Sequence, residues 1–230
     1  MKKKALILFP TIQEAEPIRQ IYAPETTKLK LEDSFTFSND DIDFTAFILG
    51  YGAKITESRI KKAIEKFNPE IIFLIGCAGA CKKGIELGEM FYAGNDETLA
   101  NYALSFGAKE ANIYTNLKFA DDTQKAELAA QGYDIVEMEY SYLKNVCKDN
   151  GIKYICIRFI SDVATSTSPI EFFNALMCEK TGKNKTLRAL STFIWKPSNM
   201  KKLKEFLKDI ASVMPEYDKK IKTFIGDLKL

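Results

Sequence analysis

The chain has 230 residues, with 33 Lys and Arg against 31 Asp and Glu, and it contains no histidine. A net charge of +2 supplies no strong field to draw in phosphate backbones or anionic membranes, so neither nucleic acid nor membrane is an expected partner. The missing imidazole excludes Ser-His and Cys-His dyads and the commonest metal ligand, which leaves acid and base chemistry near neutrality to carboxylates, Lys, Tyr or water.

Met1-Lys2-Lys3-Lys4 leads directly into an apolar run at residues 4–9 of the kind that forms a buried strand. No small-residue cleavage site follows and no apolar run approaches the ~20 residues that span a bilayer, so the expectation is an unexported, cytoplasmic protein. Pro10 ends the run, and residues 13–22 read as a helix. Residues 31–49 hold two β-like runs around Asn39-Asp40-Asp41, with Phe44, Ala46 and Ile48 alternating before Gly50-Tyr51-Gly52: a hairpin leading into a glycine loop. Over residues 56–67 the apolar positions Ile60, Ala63, Ile64 and Phe67 recur at helical spacing, and Asn68-Pro69 stops that helix before a strand at 71–75. That strand runs into Gly76-Cys77-Ala78-Gly79, read as a turn.

A helix at 123–131 precedes Val136-Glu137-Met138-Glu139, and a second helix at 142–150 ends at Gly151 before a strand at 153–160. After Asp162 a Thr- and Ser-rich stretch ends at Pro169, and the remainder reads as helical with lysines on a solvated face. Strands alternating with helices over this length predict one α/β domain spanning 1–230, with a central mixed, largely parallel sheet flanked by helices. The five cysteines, Cys77, Cys81, Cys147, Cys156 and Cys178, are odd in number, mostly sit in apolar runs and form no CxxC pair. That usage fits free thiols in a reducing compartment; no structural zinc and no cofactor are expected.

Three segments fall at the ends of predicted strands, where open α/β sheets place their ligands: Gly76 to Gly79, Glu137-Met138-Glu139, and Arg158 to Asp162. Each has a plainer reading, as a turn, a surface acid or a helix cap. Together with Leu8-Phe9-Pro10-Thr11-Ile12-Gln13-Glu14 and Gly50-Tyr51-Gly52, these segments resemble the nucleoside phosphorylase and nucleosidase superfamily, and most of all the bacterial methylthioadenosine/S-adenosylhomocysteine nucleosidases. The pair Val136-Glu137-Met138-Glu139 and Arg158-Phe159-Ile160-Ser161-Asp162-Val163-Ala164 is the most specific part of the match, which covers residues 1–90 and 134–165.

The resemblance implies a three-layer sandwich and cleavage of the N-glycosidic bond of a purine nucleoside, a small-molecule substrate. It makes Asp162 the acid that protonates purine N7, with Ser161 orienting it; a carboxyl desolvated at a strand end can hold a proton near neutral pH. Glu14 would activate water with Arg158 as its guanidinium partner. Glu139 would accept from the ribose hydroxyls, with Glu137 and Met138 beside the sugar, Phe119 on the base, and Cys77, Gly79 and Gly52 completing the pocket. Phosphorylases of this group carry an arginine two residues before the glycine segment to bind a phosphate dianion; Leu74 stands there, which favours hydrolysis.

The sequence departs from the family pattern at Cys77, where serine is expected, and at Thr11 and Tyr51, which imply a more polar pocket for the 5′ substituent. The segment between Tyr92 and Phe119 is shorter than the family's, which leaves the homodimer implied by the resemblance open. Residues 175–230 form a helical C-terminal extension longer than the family's single helix. The alternatives kept beside hydrolysis are a phosphate-dependent phosphorylase and a catalytically silent nucleoside-binding or interaction protein.

Overall fold

A computed structural model describes residues 2–26, 28–50, 53–164, 170–176, 189, 192–193, 196 and 198–229. Its spine is a pair of ten-residue strands, β4 (Ile71–Ala80) and β9 (Lys153–Asp162), which run parallel from Ile71↔Lys153 to Ala78↔Ile160 and then shift by one residue to pair Gly79 with Asp162. Both are near-continuous apolar runs because both faces of the sheet are covered, the pattern that parallel strands require. β1 (Lys3–Phe9) lies parallel to β4 on its other side, and beyond it come β3 (Ile42–Ile48), parallel to β1, and β2 (Ser34–Ser38), antiparallel to β3 through the expected hairpin. On the far side of β9 the sheet continues with β5 (Met90–Gly94), antiparallel to β9, and β6 (Lys109–Glu110). β7 (Ile113–Thr115) and β8 (Ile135–Glu137) form a short parallel pair, and β8 joins antiparallel to the tip of β4 through Gly79↔Val136 and Ala80↔Ile135.

Residues 76–79 are therefore strand, not the turn that their glycines suggested. β8 supplies ladder partners past the point where β4 would otherwise end, so the backbone groups of Gly79 and Ala80 are paired rather than left to a loop.

Alternate residues of each strand feed two cores. Ile7, Phe9, Phe73 and Ile75 face helices α1 (Ile12–Tyr22), α3 (Glu97–Ser105) and α7 (Ser198–Gly226), while Leu6, Leu8, Ile72 and Leu74 face α2 (Ala53–Phe67) and α5 (Tyr140–Asn150). The result is a single α/β domain of three layers, helices on sheet on helices, as expected. Helix α4 (Asp122–Ala130) packs at the β8 end through Leu128, and α6 (Ile170–Leu176) meets Phe119, whose N–H donates to the Asn174 side chain at 3.1 Å. The span between Tyr92 and Phe119, unread in the sequence, is occupied by α3 and the short strands β6 and β7.

The last turns of α7 belong to the main core. Tyr217, Ile221, Phe224 and Ile225 are buried, and Phe224 meets Tyr102 and Phe106 at ring-centroid distances of 5.0 and 5.4 Å. Lys201, Lys204, Lys208 and Lys219 lie on the exposed face of the same helix, in the solvated role anticipated for them. Two phenolic hydroxyls fasten the helix: Tyr102 donates to the carbonyl of Phe224 at 2.8 Å, and Tyr217 donates to the carbonyl of Glu14 at 2.7 Å. The second bond ties the C-terminal helix to the backbone of a candidate site residue. Replacing Tyr217 by Phe is expected to destabilise the fold by about 1 kcal/mol and Tyr217→Ala by about 3–5 kcal/mol, read from denaturant midpoints. Equal midpoints for wild type and Tyr217→Ala would show that α7 is not part of the cooperative fold.

Candidate active site

At the C-terminal ends of β1, β4 and β9, and at β8, the chain encloses a cavity of about 450 Å³. That volume falls in the range of small-molecule pockets. Glu14, Cys77, Gly79, Phe119, Glu137, Met138, Glu139, Ser161 and Asp162 all line it. Arg158 lies fully buried behind that surface, bonded to two of the lining carboxylates. Gly52 and Tyr51 lie outside the described residues.

Glu14 owes its position to the start of α1. Thr11 is the N-cap, and its hydroxyl oxygen accepts from the Glu14 N–H at 3.2 Å while the Glu14 carboxylate accepts from the Thr11 N–H at 2.8 Å: a capping box. The Thr11 hydroxyl also donates to Glu14 Oε2 at 2.7 Å, and the Cys77 N–H donates to Oε1 at 2.7 Å. The other carboxylate of this helix, Glu16, is paired with Arg19 at 2.6 Å away from the cavity. Thr11 itself lines the cavity, with its hydroxyl engaged by Glu14. Burial raises the Glu14 carboxyl above its usual range, against the opposing pull of Thr11, Arg158 and the Cys77 amide. Burial and the neighbouring Glu14 charge push the Cys77 thiol well up, so it stays protonated.

Arg158 is not ion-paired to Glu14 as the resemblance implied. Its Nη2 donates to Glu137 at 2.5 Å and to Glu139 at 3.0 Å. Its Nε and Nη1 have no hydrogen-bond partner among the described residues, and Nη1 approaches Glu14 across Gly76. A Cβ on Gly76 would stand 2.6 Å from both Arg158 Nη1 and Glu14 Oε1, so only glycine lets strand β4 pass between these groups. Glu137 also accepts from Thr115 Oγ1 at 2.7 Å, from the Glu139 N–H at 2.8 Å and from the Tyr140 N–H at 2.9 Å. With its oxygens occupied by the start of α5 and by Arg158, Glu137 positions the guanidinium, and Glu139 is the carboxylate with capacity left for a ligand.

At the other end of the cavity Ser161 Oγ lies 3.2 Å from Asp162 Oδ1 and 3.3 Å from the Ala78 carbonyl. Asp162, part-buried at the end of β9, does not stand alone. Asp162 Oδ2 accepts from the ammonium of Lys125, a side chain only 2% exposed that rises from α4. Sequence reasoning missed Lys125, because a lysine on a polar helix reads as a solvated charge and its partner lies 37 residues away. Gln13 and Lys118 also line the cavity, and much of the rest of its wall is apolar: Phe119 packs against Phe173 at 5.0 Å, Phe173 against Phe206 at 4.8 Å, and Leu207, Ile210 and Met214 of α7 extend it. Among the described residues no His/Cys/Asp/Glu group could hold a metal ion, and no helix is long and apolar enough to cross a membrane.

This architecture is the fold of the nucleoside phosphorylases and nucleosidases, which the chain follows along nearly its whole length. The Phosphorylase superfamily model matches residues 113–194, the part that carries β7 to β9 and the Glu137 to Asp162 segment. Among solved structures, the chain is similar to a Helicobacter pylori methylthioadenosine/S-adenosylhomocysteine nucleosidase variant holding 5′-methylthioadenosine. The identity is 14%, 99% of this chain and 100% of that one are covered, and the TM-score is 0.66. A Campylobacter jejuni nucleosidase of the same name is 19% identical over 86% of this chain and 99% of that one, with a TM-score of 0.61. Helicobacter pylori futalosine hydrolase is 16% identical over 91% and 99%, with a TM-score of 0.62. No curated protein is matched by sequence.

The buried carboxylates leave a pH signature. Burial pushes Glu139 up to about 8 from an ordinary value of 4.5. The folded chain holds this proton where the unfolded chain releases it, so the contribution to stability is complete below about pH 4.5 and is lost as pH rises through 8. Each pH unit of that window is worth up to about 1.4 kcal/mol. Denaturant midpoints should therefore fall from pH 5 to 8 in the wild type and fall less in Glu139→Gln, whose side chain carries no proton to lose; parallel curves would contradict the assignment.

Proposed function

We propose that the protein hydrolyses the N-glycosidic bond of a purine nucleoside. One observation carries the reading: a buried carboxylate on a capping box, a second on an arginine, and an acid paired with a lysine converge on one cavity from separate strand ends. Ribose leaving a purine develops positive charge at C1′. Glu137 answers the guanidinium of Arg158, and a positive charge arriving beside Glu139 and Glu14 favours their ionised forms, so these carboxylates stabilise that charge as it appears rather than the neutral ground state.

In this mechanism Glu139 accepts from the vicinal ribose hydroxyls and Met138 packs on the sugar face. Glu14 holds the attacking water and takes its proton as oxygen bonds to C1′, while the electron pair of the C1′–N9 bond passes to the base. Asp162, beside Ser161 and ion-paired with Lys125, relays a proton from that ammonium to N7. Arg158 is a positioning residue, since its guanidinium fixes Glu137 and Glu139 and turns an unpaired Nη1 toward Glu14. Phe119 and Phe173 suit the faces of a base, and the apolar wall of α7 suits a 5′ substituent of low polarity, as in methylthioadenosine, adenosylhomocysteine or a futalosine-type nucleoside.

Water, not phosphate, is the nucleophile that fits. The position at which phosphorylases place an arginine is Leu74, fully buried in the core, and the Glu14 carboxylate would repel a phosphate dianion. The ammonium on Asp162 and the thiol of Cys77 favour a second reading, nucleoside binding without turnover. Asp162→Asn separates the two. On the hydrolase reading it lowers kcat by about 10²–10⁴-fold with nucleoside binding retained by calorimetry, the range expected for loss of a general acid. Turnover by the wild type that is unchanged in Asp162→Asn would overturn the role given to Asp162, and calorimetric binding with no turnover in the wild type would establish the silent reading.

A further inference from the structure

We infer that Lys125 selects the base, and that this site takes a 6-oxopurine in preference to a 6-aminopurine; the inference rests on the nucleoside-hydrolase reading of the same cavity. A lysine buried to 2% exposure is held there by its partner: the ammonium donates to Asp162 Oδ2 and, at 3.4 Å, approaches the carbonyl of Val163. An ammonium has three N–H donors and no acceptor, so after these two bonds one donor remains for the cavity that Lys125 lines. Strand β4 is bare at this point: a Cβ on Gly79 would stand 3.0 Å from Asp162 Oδ2 and 3.2 Å from Lys125 Cε. The glycine thus leaves the lysine and aspartate heads open to a ligand edge.

Purines differ on the edge that such a pair would read. A 6-oxopurine presents two acceptors, N7 and O6, whereas a 6-aminopurine presents one acceptor, N7, and the donor N6–H₂. A lone protonated aspartate complements the amino form, donating from one oxygen to N7 and accepting from N6 with the other. Here the amino form is disfavoured by the lysine: Oδ2 already accepts from the Lys125 ammonium, so an N6 amino group placed at this edge would set its own N–H donors against those of the ammonium. O6 would instead accept from the ammonium.

The proton economy agrees. As the C1′–N9 electron pair enters the base, Asp162 relays one proton from the Lys125 ammonium to N7, and until that transfer is complete the negative charge building on O6 lies against the same ammonium. Lys125 is left as a neutral amine and recovers, through solvent, the proton that Glu14 removed from water.

The test compares kcat/KM for inosine and adenosine, and for their 5′-methylthio counterparts, in wild type, Lys125→Met and Lys125→Arg. It is paired with calorimetric binding of free hypoxanthine and adenine. Wild type is expected to favour the 6-oxopurine at least about tenfold, Lys125→Met to lower that ratio at least about tenfold, and Lys125→Arg, which keeps the donors, to preserve it. A preference for the 6-aminopurine, or a ratio unmoved in a Lys125→Met variant of wild-type melting temperature, overturns the inference and leaves hydrolysis standing. If neither nucleoside is cleaved, the hydrolase reading fails; tighter binding of hypoxanthine than adenine that is lost in Lys125→Met then still supports the base assignment, and equal binding overturns it as well.

Discussion

The guanidinium of Arg158 is completely buried, and most of the site follows from satisfying it. An ion of that size taken out of water is tolerated only when charge and hydrogen bonds answer it inside the protein. Glu137 and Glu139 do so from β8 and the start of α5, which fixes how that strand and helix meet β9. Glu137 in turn accepts from the first backbone N–H groups of α5, so one carboxylate both caps a helix and holds the arginine. On the other side of β4, Gly76 removes the one Cβ that would separate the arginine from Glu14. A strand tip, two helix starts and a glycine are thereby locked into a single electrostatic unit.

Three carboxyl groups surround one cation in that unit, and burial offsets the excess by raising Glu14 and Glu139, which then hold their protons more tightly until a positive charge arrives. An environment of this kind is costly in a resting protein and favourable to a positive charge arriving from outside. A ribosyl group parting from its purine brings such a charge. At the opposite end of the cavity the sign reverses, with the Lys125 ammonium where a departing base becomes negative. The cavity is thus polarised along the axis of the bond proposed to break, and the apolar residues of α6 and α7 keep water from screening that polarity.

Much of the frame could be read from the sequence, because its elements are signalled locally. The apolar runs at β1, β4 and β9, the 3.6-residue spacing in α2 and the glycine after α5 each announce themselves. Thr11-x-x-Glu14 is a capping-box signature, which is why Glu14 and not Glu16 faces the cavity. What stayed hidden depends on tertiary contact. β6 and β7 have two and three residues, too few to show a period. Gly76 to Gly79 look like a turn until β9 is seen pairing with all four and β8 with the last of them. Nothing local distinguishes Lys125 from the solvated lysines of α7, and the pairing of Arg158 with Glu137 and Glu139 instead of Glu14 depends on how β8 enters the sheet. The resemblance supplied which residues gather; only packing decides who bonds to whom.

Base release without phosphate tests the proposed chemistry most directly. The purified protein is incubated with purine nucleosides in phosphate-free buffer made with H₂¹⁸O, and free base and ribose are separated by chromatography and mass spectrometry. Hydrolysis at the Glu14 water yields base at a rate unaffected by added phosphate, with one ¹⁸O at C1 of the ribose in products trapped by reduction before exchange. Base formed only when phosphate is present, together with ribose 1-phosphate, would contradict it.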